Sequence, residues 1–108
     1  MKAAQVWVSI LLVSLFSAKG ATFPAGFVED QIGGTWNEAV GLTFDANGRM
    51  YVWERPGRVW TVENGVKSST PMLDIREEVG GWRDFGLLGF CLHPNFLSNG
   101  YVYLLYTV

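Results

Sequence analysis

The residues of this chain that could act on a ligand are few, and their spacing narrows what they could do. His93 precedes Pro94, where an apolar run gives way to turn residues. No Ser, Cys or carboxylate stands at a spacing that makes His93 the base of a nucleophile, so it reads as a hydrogen-bonded turn residue. Glu77 and Glu78 are neighbouring acids, but adjacent side chains diverge, whereas acid–base pairs must converge on one proton. They read as solvated loop. Cys91, the one cysteine, sits within the apolar run Leu87 to Leu92 and is expected to be buried as a small hydrophobe. A single cysteine closes no internal disulfide, and no Cys/His cluster has metal-ligand spacing. The tryptophans at 36, 53, 60 and 82 offer flat faces to a ring such as a sugar. Trp53 and Trp60 fall in strand-like runs and are expected in the core. Trp82 follows Gly80-Gly81 and precedes Arg83-Asp84, a loop position at a strand edge, where binding residues gather. Trp82-Arg83-Asp84 is the candidate pocket-edge segment.

The elements that must hold that segment are short strands. Residues 21–40 form a lead-in with Pro24, a Gly33-Gly34 pair and little periodicity, read as loop with a short strand around Phe27 to Ile32. Leu42 to Phe44 and Met50 to Glu54 are strands joined by Asp45-Ala46-Asn47-Gly48, in which Asn-Gly supplies positive φ at little cost. Pro56-Gly57 makes the next turn. Arg58 to Glu63 is a third strand with Val59 and Thr61 on one face and Trp60 and Val62 on the other. Asn64-Gly65 then turns the chain into a fourth strand, Val66 to Ser69. The one helix candidate is Asp74 to Val79, short and running into Gly80-Gly81.

The pattern repeats. Gly41 to Asp45, a turn, then Met50 to Trp53 is similar to Gly89 to His93, a longer turn, then Tyr101 to Leu104, at an offset of 48 residues. Periods of roughly 40–50 residues with several short strands each belong to β-propeller blades. Met50 to Trp53 and Tyr101 to Tyr106 are apolar on both faces, as for strands sandwiched between neighbouring sheets; a half-exposed sheet would alternate. A small β-sandwich or barrel is the other architecture this pattern allows. A propeller needs about four blades or more, and the chain supplies about one and a half by this repeat, so it is expected to be a piece of a longer protein.

The first residues have the layout of an export signal: Lys2, an uncharged, mostly apolar run of eleven residues from Val6 to Phe16, then Ala18-Lys19-Gly20, with cleavage expected before Ala21. A run of that length falls short of the roughly 20 residues that span a bilayer as a helix, so no transmembrane anchor is expected. A buried N-terminal helix or a retained anchor is the alternative. The remaining 88 residues carry six basic and ten acidic groups, a formal charge of −4. The cations are dispersed among acids, which disfavours capture of nucleic acid or anionic lipid.

Several stretches carry a family resemblance in order and spacing. Phe23-Pro24-Ala25-Gly26-Phe27, then Gly41 to Arg55, Gly57-Arg58-Val59-Trp60 and Asn64-Gly65 resemble the first blade of the glucose/sorbosone dehydrogenase family. Phe85 to Phe96, Asn99-Gly100-Tyr101-Val102-Tyr103 and Tyr106-Thr107 are similar to the family block that reads GLLG, HPxF, NGxxY and YT. The resemblance implies an all-β fold, the N-terminal one to two blades of a six-bladed β-propeller, with residues 41–108 as the first blade and the start of the second.

It implies function as well. Full-length members include secreted or periplasmic, pyrroloquinoline-quinone (PQQ)-dependent sugar dehydrogenases that hold PQQ with calcium over the top of the propeller and oxidise a sugar or other polyol. Other members, of the Hedgehog-interacting type, bind a protein ligand; a lactonase-like scaffold would need carboxylate metal ligands that the segment lacks. In the quinone enzymes a Gln stands two residues before the Gly of the GLLG block; here that position is Asp84. An ionised carboxylate donates no hydrogen bond and adds charge beside an anionic cofactor, with Arg83 placed to offset it. Asp84 and Arg83 are thus the cofactor-side candidates. The catalytic His, the substrate-side Arg and the calcium ligands are expected beyond Val108, with no tight binding of PQQ or calcium by this segment alone.

Overall fold

The computed structural model describes residues 22–108; the export signal and its cleavage position lie outside the described residues. The fold is all-β, with two antiparallel sheets and one short helix. In chain order the elements are β1 (Ala39–Phe44), β2 (Met50–Glu54), β3 (Arg58–Glu63), β4 (Val66–Lys67), β5 (Leu73–Asp74), β6 (Leu87–Leu92), α1 (Phe96–Asn99) and β7 (Val102–Tyr106).

The first sheet runs β1-β2-β3, and β4 and β5 share the far edge of β3. β4 pairs Lys67 and Val66 with Val62 and Glu63, while β5 pairs Leu73 and Asp74 with Val59 and Arg58. Between them the Ser68 and Met72 amides still donate to the carbonyls of Thr61 and Val59, at 2.9 and 2.8 Å. The two pieces are one outer strand interrupted around Pro71, which has no N–H for a ladder. The second sheet is the hairpin β6-β7.

Side-chain alternation decides the core. Tyr51 and Val59 from the first sheet and Leu87 and Phe90 from the second form one buried cluster, with Trp53, Leu73, Leu92, Phe96, Val102, Leu104 and Tyr106 packed around it. The Tyr51 ring lies 6.2 Å from Phe90 and meets Phe96 edge-on at 5.6 Å. Burying each such side chain is worth about 1.5–3 kcal/mol. The strands are apolar on their other faces too: Leu42 and Phe44, and Tyr103 and Leu105, are each more than half exposed.

The strand readings hold for β2 and β3 to the residue, and the Asn64-Gly65 turn has the left-handed pair it requires, φ 51° and 79°. Four expectations are corrected. Phe27 to Ile32 is not a strand; a turn closed by the Phe27 amide on the Pro24 carbonyl leads into unpaired backbone. Val66 to Ser69 is a strand over Val66–Lys67 alone, and the outer edge resumes at β5. Asp74 to Val79 is not a helix: Asp74 ends β5 and its carboxylate accepts from the Arg76 backbone and side chain, which favours a turn. Cys91 is exposed. A register shift between Leu87 and Gly89 turns Leu87 and Phe90 into the core, and alternation then puts Cys91 on the opposite face. Among the described residues no helix is long and apolar enough to cross a membrane.

Candidate functional site

Trp82, Arg83 and Asp84 lie on the loop from Gly80 to Gly86 that carries the chain from the first sheet to β6, and all three are exposed. The loop is tied at both ends to the residue after β7. The Gly80 amide donates to the Thr107 carbonyl at 2.7 Å, and the Gly86 amide donates to Thr107 Oγ1 at 2.8 Å. In return the Thr107 amide donates to the Gly86 carbonyl at 3.1 Å. The loop is therefore an extension of the β6-β7 ladder.

Within it, Arg83 takes φ 54°, an uncommon value for a residue with a side chain. Its guanidinium sits 4.2 Å from the Trp82 ring centroid, a cation–π contact, and the Trp82 ring meets Phe85 edge-on at 5.8 Å. One cation over an aromatic face, with a free carboxylate next in sequence, suits a flat ligand bearing charged or hydroxyl groups.

Arg55 builds the wall behind this loop, and sequence reasoning missed it. Its Nε and Nη2 donate to both oxygens of Glu38, at 3.0 and 2.9 Å, a bidentate pair. Its Nη1 donates to the carbonyls of Arg83 and Phe85, both at 2.9 Å. Its backbone carbonyl accepts from Leu87 and its amide donates to Glu38, at 2.8 and 2.9 Å. The Glu38 hydrogen bonds, against a desolvation cost, push the Arg55 pKa further up, with the charges of Glu38 and Asp84 adding to the effect. Next to Arg55, Glu54 is a buried carboxylate whose oxygens accept from the Asn37 amide at 2.7 Å and from Trp60 Nε1 at 2.9 Å. The only sequence signal for either role is a Glu-Arg pair entering a Pro-Gly turn.

His93 lies at the opposite end of the strands. Its Nδ1 accepts from the Asn95 amide at 3.0 Å and pairs with Asn99 Nδ2 at 2.9 Å, so the ring proton sits at Nε2. Its amide donates to the Tyr101 carbonyl at 3.0 Å. The ring organises the β6-α1-β7 turn, as the sequence suggested. A groove of about 520 Å³ runs beside it, between Phe44-Asp45 and Cys91-Leu92, away from the Trp82 loop. Glu78 accepts from the Tyr106 hydroxyl at 3.1 Å, and Glu77 stays exposed. Trp53 packs against the core cluster, while Trp60, half-buried, lies on the first sheet's outer face.

The sequence profile of the Glucose / Sorbosone dehydrogenase family matches residues 36–108, which includes every strand among the described residues and the Trp82 loop. The chain belongs to the glucose/sorbosone dehydrogenase family. It is 32% identical over 65 residues to the HIPL2 protein of Arabidopsis thaliana, a match covering 52% of this chain and 9% of that relative. It is 30% identical over 74 residues to the protein slr1608 of a Synechocystis species, covering 62% of this chain and 18% of that relative. The chain thus spans less than a fifth of the length of either relative. Within the family frame, two apolar-faced antiparallel sheets stacked face to face are what partial propeller blades look like.

Proposed function

We propose that this chain is the N-terminal part of an exported sugar dehydrogenase-like propeller protein, in which the Gly80–Gly86 loop forms one edge of a quinone pocket. Residues 1–20 act as its export signal, residues 21–40 as a lead-in, and residues 41–108 as the first blade and the beginning of the second of six. The carrying observation is that Trp82, Arg83 and Asp84 stand exposed on a loop fixed at both ends, directly before β6, in a chain of this family. The protein would work outside the cytoplasm, secreted or periplasmic, on an aldose or related polyol.

The described residues supply no calcium-ligand cluster of their own. Among them no group of three His, Cys, Asp or Glu converges on a point that could hold a metal ion. Arg83, exposed and stacked on Trp82, suits an anionic ring, but the Asp84 carboxylate beside it opposes one. No redox step is assigned to these side chains, and the segment by itself is expected to be inactive.

A second reading, an extracellular recognition propeller that binds a protein ligand, is favoured by Asp84, since an exposed acid beside Trp82 and Arg83 suits a protein surface better than an anionic quinone. The test is calorimetric titration of PQQ, with calcium, into the whole gene product, followed by aldose oxidation with a dye acceptor. Saturable quinone binding with turnover is expected. No quinone binding by the whole product, with or without an Asp84→Gln substitution, overturns the enzymatic reading. Binding restored by Asp84→Gln alone would establish that the natural protein has left quinone chemistry.

A further inference from the structure

We infer that Arg55 is the positioning residue of the Trp82-Arg83-Asp84 loop, holding it through its guanidinium fork, with Glu38 as the anchor that aims the fork. As a statement about a ligand pocket this rests on the reading above; as a statement about the loop it stands on geometry alone.

Three segments far apart in sequence meet on this one side chain: the lead-in at Glu38, the β2-β3 turn at Arg55 itself, and the loop at Arg83 and Phe85. Both carbonyls held by Nη1 flank Asp84 in the chain, so the backbone on either side of Asp84 is pinned to the same nitrogen. Glu38 and Arg83 have φ of 56° and 54°, and residues other than Gly, Asn and Asp persist there only where surrounding contacts over-determine them. The contacts that do so here converge on Arg55.

The space behind the loop has been cleared for this arrangement. A Cβ at Gly86 would lie 2.6 Å from the Arg55 carbonyl oxygen and overlap its side chain. Lysine would not substitute for Arg55. A single ammonium cannot make a planar bidentate contact with Glu38 while also donating to two carbonyls on its other side. Arg55 is thus expected to set the position of Asp84 and the Trp82–Arg83 stack without touching a ligand itself.

The experiment is hydrogen exchange by mass spectrometry on the whole gene product and on its Arg55→Met, Arg55→Lys and Glu38→Gln variants. Arg55→Met is expected to speed exchange across residues 82–87 at least tenfold and to leave residues 58–63 unchanged. Arg55→Lys should behave like Arg55→Met, and Glu38→Gln should fall between the two. Unchanged loop exchange in a folded Arg55→Met protein overturns the inference, as does full rescue by lysine, which would mean that charge alone suffices. If Arg55→Met does not fold, Glu38→Gln carries the test, because it leaves both carbonyl contacts available; wild-type loop exchange in that variant overturns the anchoring role. PQQ titration of the same proteins separates the two claims. A loosened loop in a protein whose wild type binds no quinone upholds the positioning role and sinks the pocket reading.

Discussion

The two ends of the strand stack are held by different kinds of contact. At the Asp45–His93 end, Asp45 and His93 each complete a turn within their own stretch of chain. Asp45 accepts from the amides of Asn47 and Arg49 and from the Tyr51 hydroxyl, and His93 serves Asn95 and Asn99. All of those partners lie within six residues. At the Arg55 end the partners are 17 to 30 residues away, and two of the residues involved take left-handed backbone. One end is built from independent turns that form locally; the other comes into being only when three segments have docked. Left-handed backbone also occurs at Asn64, where a two-residue hairpin turn favours it, whereas at Glu38 and Arg83 it is held by partners distant in sequence.

That contrast is most sharply broken at Gly86. It is buried, has φ 155°, and gives up its Cβ space to Arg55. Gly86→Ala is expected to cost about 3 kcal/mol, from the backbone region and the overlap together, measured as a lower urea midpoint at unchanged slope. A loss below about 1 kcal/mol would show that the two sheets shift past each other freely and that the Arg55 end is not tightly docked. At the local end the losses are smaller. His93→Ala removes the acceptor of the Asn95 amide and should cost about 1 kcal/mol, the net value of a hydrogen bond. It should leave residues 82–87 as protected from exchange as in wild type. An effect of His93→Ala on that loop would mean that the ends are coupled through β6 and β7.

How much of this could be read from the sequence follows the same division. The Asn64-Gly65 turn, the ends of β2 and β3, and the turn role of His93 rest on local chemistry, and local chemistry is written in adjacent letters. The Trp82 loop was legible as a loop because glycines bracket it. The role of Arg55 was not, because nothing near Arg55 names Glu38 or Phe85 as its partners. Cys91 misled for a related reason. An apolar run says that a strand is buried somewhere, but the face each residue takes depends on the register shift after Leu87, which only pairing with β7 reveals. Asp74 misled through its partners, two arginines that hold it as the end of an edge strand, where the pattern of neighbouring letters suggested a helix.

The turn at Asn64 gives a further, smaller test of the local end. Asn tolerates φ 51° better than alanine does, so Asn64→Ala should cost about 1 kcal/mol. Because the next residue, Gly65, accepts the Gly33 amide at 3.0 Å, the lead-in is a reporter of that turn. Its exchange should rise with the substitution while the Arg55 loop stays unchanged.

The smallest expected effect separates the ends by pH. Burial raises the Asp45 pKa, but the Tyr51 hydroxyl, the Arg49 and Asn47 amides and the Arg49 charge outweigh it, so its carboxyl titrates below the usual range. A carboxyl depressed in the folded state binds protons more readily when unfolded. Its contribution to stability is therefore fully present above the unfolded value of roughly 3.9 and is lost as pH falls through the lower folded value. Asp74, pulled down chiefly by its hydrogen bonds with Arg76, obeys the same sign. Asp45→Asn should flatten part of the loss of stability below about pH 4 while leaving Asp74's part in place, and Asp74→Asn the reverse. In both proteins Arg55 stays charged throughout, because its shift is upward from an already high value. Loop exchange over residues 82–87, corrected for the intrinsic pH dependence of amide exchange, should accordingly stay level as Asp45 and Asp74 titrate. A loop that opens with the protonation of Asp45, and no longer does so in Asp45→Asn, would show that the local turns at one end set the docking at the other.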